Sequence, residues 1–140
     1  MSAFSNDLER RILSATLRGA NYTSPSNVYV ALFVSAPTDE GSGEELADSA
    51  YVRQDAAQGE TISSGWTEPT VQGEGHMCSN AKRIQFPPIA DGTVTVGWFG
   101  LYDSLTGGNL LYHGAFTVPK TLEINDVVSV DIGGLKVILR

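Results

Sequence analysis

Two histidines and one cysteine are the only soft metal-ligating side chains of the 140-residue chain apart from its methionines. His76 and Cys78 stand two residues apart, with Met77 between them, and His113 is the second histidine. Zinc takes about four ligands of this kind in a tetrahedral array. Two histidines and one cysteine reach that number only with a carboxylate's help, so His76 and Cys78 read as a loop histidine and a half-buried thiol. Asp103, Ser104 and His113 are the residue types of a hydrolytic triad. No strand–turn–helix elbow of the G-x-S-x-G kind presents the serine, and among sixteen acids such trios arise by chance. Asp39-Glu40-Gly41-Ser42-Gly43-Glu44-Glu45 clusters carboxylates that suit a hard cation, but their spacing is not that of an EF-hand, and the stretch reads as a flexible acidic loop. Gly107-Gly108 lacks the lysine and helix of a phosphate-binding loop and is explained by turns that need positive φ. Asn21-Tyr22-Thr23 matches a glycosylation acceptor, which is without meaning unless the chain is secreted. Trp66, Trp98, Phe99, Tyr102 and Tyr112 have the character of a carbohydrate-binding face, yet aromatics are enriched in strands generally and these read first as core and strand-face residues. No catalytic, cofactor-binding or metal-binding residue is assigned, and no cofactor is expected.

The elements that would position these residues are one helix and a series of strands. Asn6 is the expected cap, with Glu9 three residues on, Asp7 and Glu9 in the first turn, Arg18 in the last and Gly19 just past it. This predicts a helix from about 7 to 18. Leu8, Ile12, Leu13 and Leu17 share a face expected to hold it to the rest of the protein; Leu13→Ala at a fully buried site would cost about 2–4 kcal/mol. From about 27 to 139 the pattern is β. Val28 to Val34 is apolar on both faces, which predicts burial on both. Further short strands are expected at 51–54, 66–71, 82–86, 93–102, 110–118, 121–124, 127–132 and 135–139, with Pro87-Pro88, Asn125-Asp126 and Gly133-Gly134 as breaks. Sequential strands joined by tight turns pair antiparallel. The fold class is therefore mainly β, an antiparallel sandwich or flattened barrel with one N-terminal helix, in a single domain over 1–140.

Composition excludes several classes. Hydrophobic residues at 41% and charged residues at 18% are globular proportions. One cysteine rules out an internal disulfide framework. No apolar run approaches the ~18 residues of a membrane span, and charged residues from Asp7 to Arg11 stand where a leader would need an apolar run, so the expected origin is the cytosol. A net charge of −7 argues against sequence-independent nucleic-acid binding. From Asp39 to Glu74 nine acids face one base, Arg53, so this window carries the chain's negative charge and is expected to form a solvated rim or an inter-subunit contact rather than a metal site. The stretch 93–102 has no charge, and 127–139 has only Asp131 and Lys136. Strand edges this sparsely charged need a cover, which predicts a homo-oligomer.

The order of the segments carries a resemblance. Tyr29-Val-Ala-Leu-Phe33 is followed by Ala36-Pro37-Thr-Asp39 and a Gly-rich acidic loop, then Glu44-Glu45 leading to Tyr51-Val-Arg-Gln54. Asn80, Ile84-Gln-Phe86 and Gly92-Thr-Val-Thr95 lead to Gly100-Leu-Tyr-Asp103, Thr106-Gly-Gly-Asn-Leu-Leu-Tyr112, Pro119-Lys-Thr121 and Gly134-Leu-Lys-Val137. From about Leu8 to Leu139 the chain resembles a family of small virion proteins of tailed bacteriophages, often labelled tail fiber or minor structural proteins. The resemblance implies a structural subunit of a phage particle, in a tail, fiber-attachment or adaptor position, with no active site. Its expected partners are other virion proteins and copies of itself, without nucleic acid or membrane. A capsid cement protein is the alternative within that class, and a glycan-binding lectin-like module the alternative outside it.

Overall fold

The computed structural model describes residues 2–140. The chain opens with a short strand, β1 (Ser2–Phe4), that runs straight into helix α1 (Asn6–Arg18). Ser5 rather than Asn6 caps the helix: its Oγ accepts the Leu8 N–H at 3.1 Å. Tertiary bonding decides this, because the Ser5 hydroxyl also donates to the Leu110 carbonyl and its N–H to the Leu111 carbonyl at 2.9 Å. At the other end Gly19 takes the left-handed conformation, φ 69°, that a C-terminal cap requires. The expected apolar face divides. Leu8 is buried at 2% exposure, but Leu13 is 58% and Leu17 78% exposed. The helix meets the sheet along Leu8 and half-buried Ile12 and Ala15, and Leu13 and Leu17 turn away from it.

The larger sheet is antiparallel, in the order β1-β8-β7-β2-β3, from β2 (Tyr29–Phe33), β3 (Gln54–Asp55), β7 (Val94–Tyr102) and β8 (Leu110–Leu122). β2 pairs β7 with Tyr29 opposite Tyr102 and Phe33 opposite Trp98. Val30, Ala31, Leu32 and Phe33 are all buried, as the two-sided apolar pattern predicts. β8 continues through the separate strand expected at 121–124. Its pairing with β7 steps from Ala115 opposite Trp98 to Lys120 opposite Val96, and this wide irregularity holds Pro119, where no ladder N–H is demanded. The uncharged 93–102 stretch is therefore an interior strand with neighbours on both sides. Its lack of charge reflects burial, not an unguarded edge.

The opposing layer has two small antiparallel sheets. One has the order β10-β5-β4, from β4 (Thr70–Gln72), β5 (Gly75–Ser79) and β10 (Lys136–Leu139); the other pairs β6 (Ile84–Gln85) with β9 (Ser129–Val130). The sheets do not close into a barrel; the fold is a sandwich. β5 lies where the sequence suggested a loop around His76-Met77-Cys78. Few of its residues favour strands by themselves, and pairing with β10, His76 opposite Leu139 through Ser79 opposite Lys136, imposes the extended form. Of the strand expected at 66–71, Trp66 forms a lone bridge to Asn80 just after a 3-10 turn (Ile62–Gly65), and only Thr70 and Val71 enter β4. Between the layers Val30, Leu32, Phe99 and Leu101 of the large sheet pack with Ile84, Phe86, Val128, Val130, Leu135 and Val137. Ala31, Phe33, Tyr102 and Leu110 form a second apolar cluster on the large sheet's other face.

Candidate functional site

The densest polar cluster is built around Arg53, just before β3. Its side chain is only 10% exposed. Nε donates to both Glu45 carboxylate oxygens, at 2.9 and 3.2 Å. A terminal nitrogen donates to the carbonyls of Ser104 at 3.0 Å and Gly107 at 2.8 Å. The guanidinium lies 3.7 Å over the Tyr102 ring. One cation thus ties the acidic loop, the 103–109 hairpin loop and the second apolar cluster together. Two residues earlier, the hydroxyl of half-buried Tyr51 accepts the Leu32 N–H at 3.1 Å, and desolvation pushes its phenol far above the ordinary range. Burial likewise raises Tyr102, against the opposing pull of Arg53. Both phenols stay neutral at physiological pH. The lone base within a strongly acidic window was the available signal for this cluster.

The triad residue types do not assemble. Asp103 folds its own loop, with Oδ1 accepting the Asn109 N–H at 2.7 Å and Oδ2 the Asn109 side-chain amide at 3.0 Å. Ser104 donates to the Thr106 carbonyl at 2.8 Å. A Cβ at Gly108, which has φ +73°, would stand 2.5 Å from that of Ser104, so a turn requirement accounts for this glycine. His113 instead meets Asp39, Nε2 to Oδ1 at 2.7 Å, across the acidic loop. His76 and Cys78 lie on β5 beside a half-open apolar hollow of about 240 Å³, with Val28, Trp66, Tyr112 and Val137. Burial, with a smaller contribution from the Glu68 charge, raises the Cys78 thiol, so the reactive thiolate is disfavoured.

Five acids of the 39–74 window serve as internal clips. Asp39 takes His113, Glu45 takes Arg53 and Glu60 takes Lys82 at 2.8 Å. Asp48 accepts the N–H groups of Ala50, Ala90 and Asp91 at 2.8–3.1 Å. Asp55 accepts those of Ala57 and Gly59 at 2.7 and 3.0 Å. Desolvation would raise both aspartates, but the donated N–H groups outweigh it and hold each below the usual carboxylate range. The acids are dispersed: among the described residues no three His, Cys, Asp or Glu side chains gather where they could hold a metal ion. Asn80, which carried no chemical signal in the sequence, is fully buried. Its amide donates to the carbonyls of Lys82 and Asp131 at 2.8 and 2.9 Å, and its Oδ1 accepts the Leu135 N–H at 2.8 Å.

The five aromatics do not form one platform. Phe99, Trp66 and Tyr112 belong to the core between the layers, whereas Tyr102 and Trp98 lie with the cluster on the other face of the large sheet. Among the described residues no helix is long and apolar enough to cross a membrane. The polar geometry is that of loops tied to a scaffold. Comparison with curated proteins yields no match. Over residues 3–138, however, the sequence matches a family described as Podophage GP4 fiber I protein gp80, and the chain therefore belongs to this family of phage fiber structural proteins.

Proposed function

We propose that this chain is a structural subunit of a podophage virion, in a tail, fiber-attachment or adaptor position, working by packing against copies of itself and other virion proteins. The observation that carries the reading is the family match, which spans nearly the whole chain and so includes both layers of the sandwich. The use of the polar residues agrees with it. Arg53, Asp48, Asp55, Asn80 and Asp103 spend their hydrogen bonds fixing loops, the use of polar side chains that a packing role calls for. The test is mass spectrometry of purified particles, joined to electron microscopy with antibody against this chain. A fixed ratio to other structural proteins and label on the tail are expected. Label over the capsid surface would make it a decoration protein, and absence from particles would overturn the reading.

A further inference from the structure

We propose that the cleft between β8 and β9 is a strand-addition site, which takes an extended peptide arm of another virion protein lying antiparallel to β8 and in line with β1; the source of the arm rests on the proposed function. β1 shows how such a strand sits. It pairs with β8 on one side, Ser2 opposite Gly114 and Phe4 opposite Tyr112. On the other side it meets β10, where the Ser2 hydroxyl accepts the Ile138 N–H at 2.9 Å and donates to the Ile138 carbonyl at 3.3 Å. β1 thus bridges the two layers over part of their length. Beyond Gly114 its line leads along β8 into a half-open cleft of about 320 Å³, with Val96, Phe116, Val118 and Lys120 on one wall and Val128 and Val130 on the other.

Both walls offer backbone as well as side chains. Phe116 to Pro119 have no residue opposite them in β7, whose pairing stops at Ala115 and resumes at Lys120, and none in the described part of β1. Across the cleft, β9 is paired only to β6. The Phe86 N–H donates to the Val128 carbonyl at 2.9 Å, and in an antiparallel ladder the next residue turns its N–H and carbonyl to the opposite edge. Ser129, which lines the cleft, therefore presents both groups to it. Strand edges left open in this way are completed by an added strand. The valines and Phe116 on the walls suit apolar side chains at alternate positions of that strand. Lys120 forms no ion pair among the described residues, whereas Asp131 on the facing wall lies 3.8 Å from Arg83, so a carboxylate on the arm complements the cleft. Each strand of the described chain is already paired along at least one edge, and a strand entering between two walls needs both edges free. The strands of a second copy do not meet that need, so the occupant is an arm of a different protein.

The probe is a short fluorescein-labelled peptide that alternates valine and threonine, with one threonine replaced by glutamate, titrated against the full chain. Anisotropy should show binding. N-methylating every second residue of the peptide removes the N–H groups that face one wall and should weaken binding about tenfold. Lysine in place of the glutamate should weaken it about fivefold, and Lys120→Glu should reverse that preference. Location is read with a cysteine-bearing form of the peptide in a Cys78→Ser background: Thr117→Cys should form a disulfide with it, and Thr70→Cys, on the exposed edge strand β4, should not. No binding at millimolar peptide, binding indifferent to N-methylation or to Lys120→Glu, or cross-linking at Thr70 instead of Thr117 would overturn the site. Thr117→Cys joining two copies of the chain in the absence of peptide would give the cleft to a second copy and overturn the assignment of the arm to another protein. The presence of the chain in particles is decided separately by mass spectrometry, so loss of this site would leave the proposed function standing.

Discussion

Asn80 offers the sharpest test of how the two small sheets are held together within their layer. The side chain is fully buried and makes three hydrogen bonds, two donated and one accepted. Its backbone adds two more, the N–H to the Leu135 carbonyl at 3.1 Å and the carbonyl from the Gly133 N–H at 2.9 Å. Asn80→Ala strands the Leu135 N–H in the core, whereas the Asp131 and Lys82 carbonyls lie in less buried residues, nearer water. One stranded donor costs about 1–3 kcal/mol and the lost bonds about 1 kcal/mol more, so the variant should lose roughly 2–4 kcal/mol of a total near 5–15 kcal/mol. Asn80→Asp keeps the acceptor for Leu135 but turns a carboxylate oxygen toward two carbonyl oxygens. Burial and this repulsion should raise the folded-state pKa of the new carboxyl above its unfolded value of about 3.9. The added penalty is then absent below that value and grows as pH rises to the folded-state pKa. Urea unfolding at neutral pH and near pH 4 should show Asn80→Asp weakest at neutral pH and partly restored in acid, with the denaturant slope unchanged. An alanine variant within about 0.5 kcal/mol of wild type, or an aspartate variant with no such pH dependence, would refute the reasoning.

Three other outcomes follow from the packing and the clips. Leu8→Ala should cost about 2–4 kcal/mol, while Leu13→Ala changes stability by less than about 0.5 kcal/mol; equal losses in thermal melts would contradict the divided helix face. Arg53→Met should cost about 2–4 kcal/mol, below the range for a fully buried pair because Glu45 is partly exposed. Its hydrogen exchange should rise in 103–109 and not in β2 or β7, and a uniform rise would count against a local tie. Asp48 has a folded-state pKa below its unfolded value, so its stabilisation is present above about pH 4 and lost as pH falls through the folded value. The wild-type melting temperature should drop from about pH 4 to pH 2, and Asp48→Asn should drop less; parallel curves would show that this clip does not titrate with folding.

The parts of the fold that were legible in the sequence are those whose local signals agree with their surroundings. Tyr29–Phe33 and Val94–Tyr102 are apolar and β-branched enough to be strands in isolation, and they pair in the middle of the large sheet. The helix ends correctly at Gly19. Where tertiary contacts decide, local reading fails. Ser5 became the cap because two strand carbonyls and one N–H meet there, and β5 exists because β10 lies beside it. The outward leucines of α1 were misread because helical spacing reveals a stripe but not which side of the helix finds the core. The site was legible only as an exclusion. Arg53 stood out as the one base among nine acids, yet its partners Ser104 and Gly107 are carbonyls about fifty residues away, and backbone acceptors leave no mark in a sequence.

The carboxylates of the acidic window divide into those the fold compensates and those it leaves to solvent. Glu45 and Glu60 are compensated by Arg53 and Lys82, Asp39 is hydrogen-bonded to His113, and Asp48 and Asp55 are compensated by donated N–H groups. Glu40, Glu44, Glu68 and Glu74 remain exposed without a side-chain partner among the described residues. With a net charge of −7 on a small chain, surfaces that carry these glutamates repel their like within a Debye length of about 8 Å. The glutamates thus act against contacts between like surfaces of two copies, and replacing Glu40 and Glu44 with glutamine should strengthen non-specific association in light scattering at low salt, an effect that added salt should abolish.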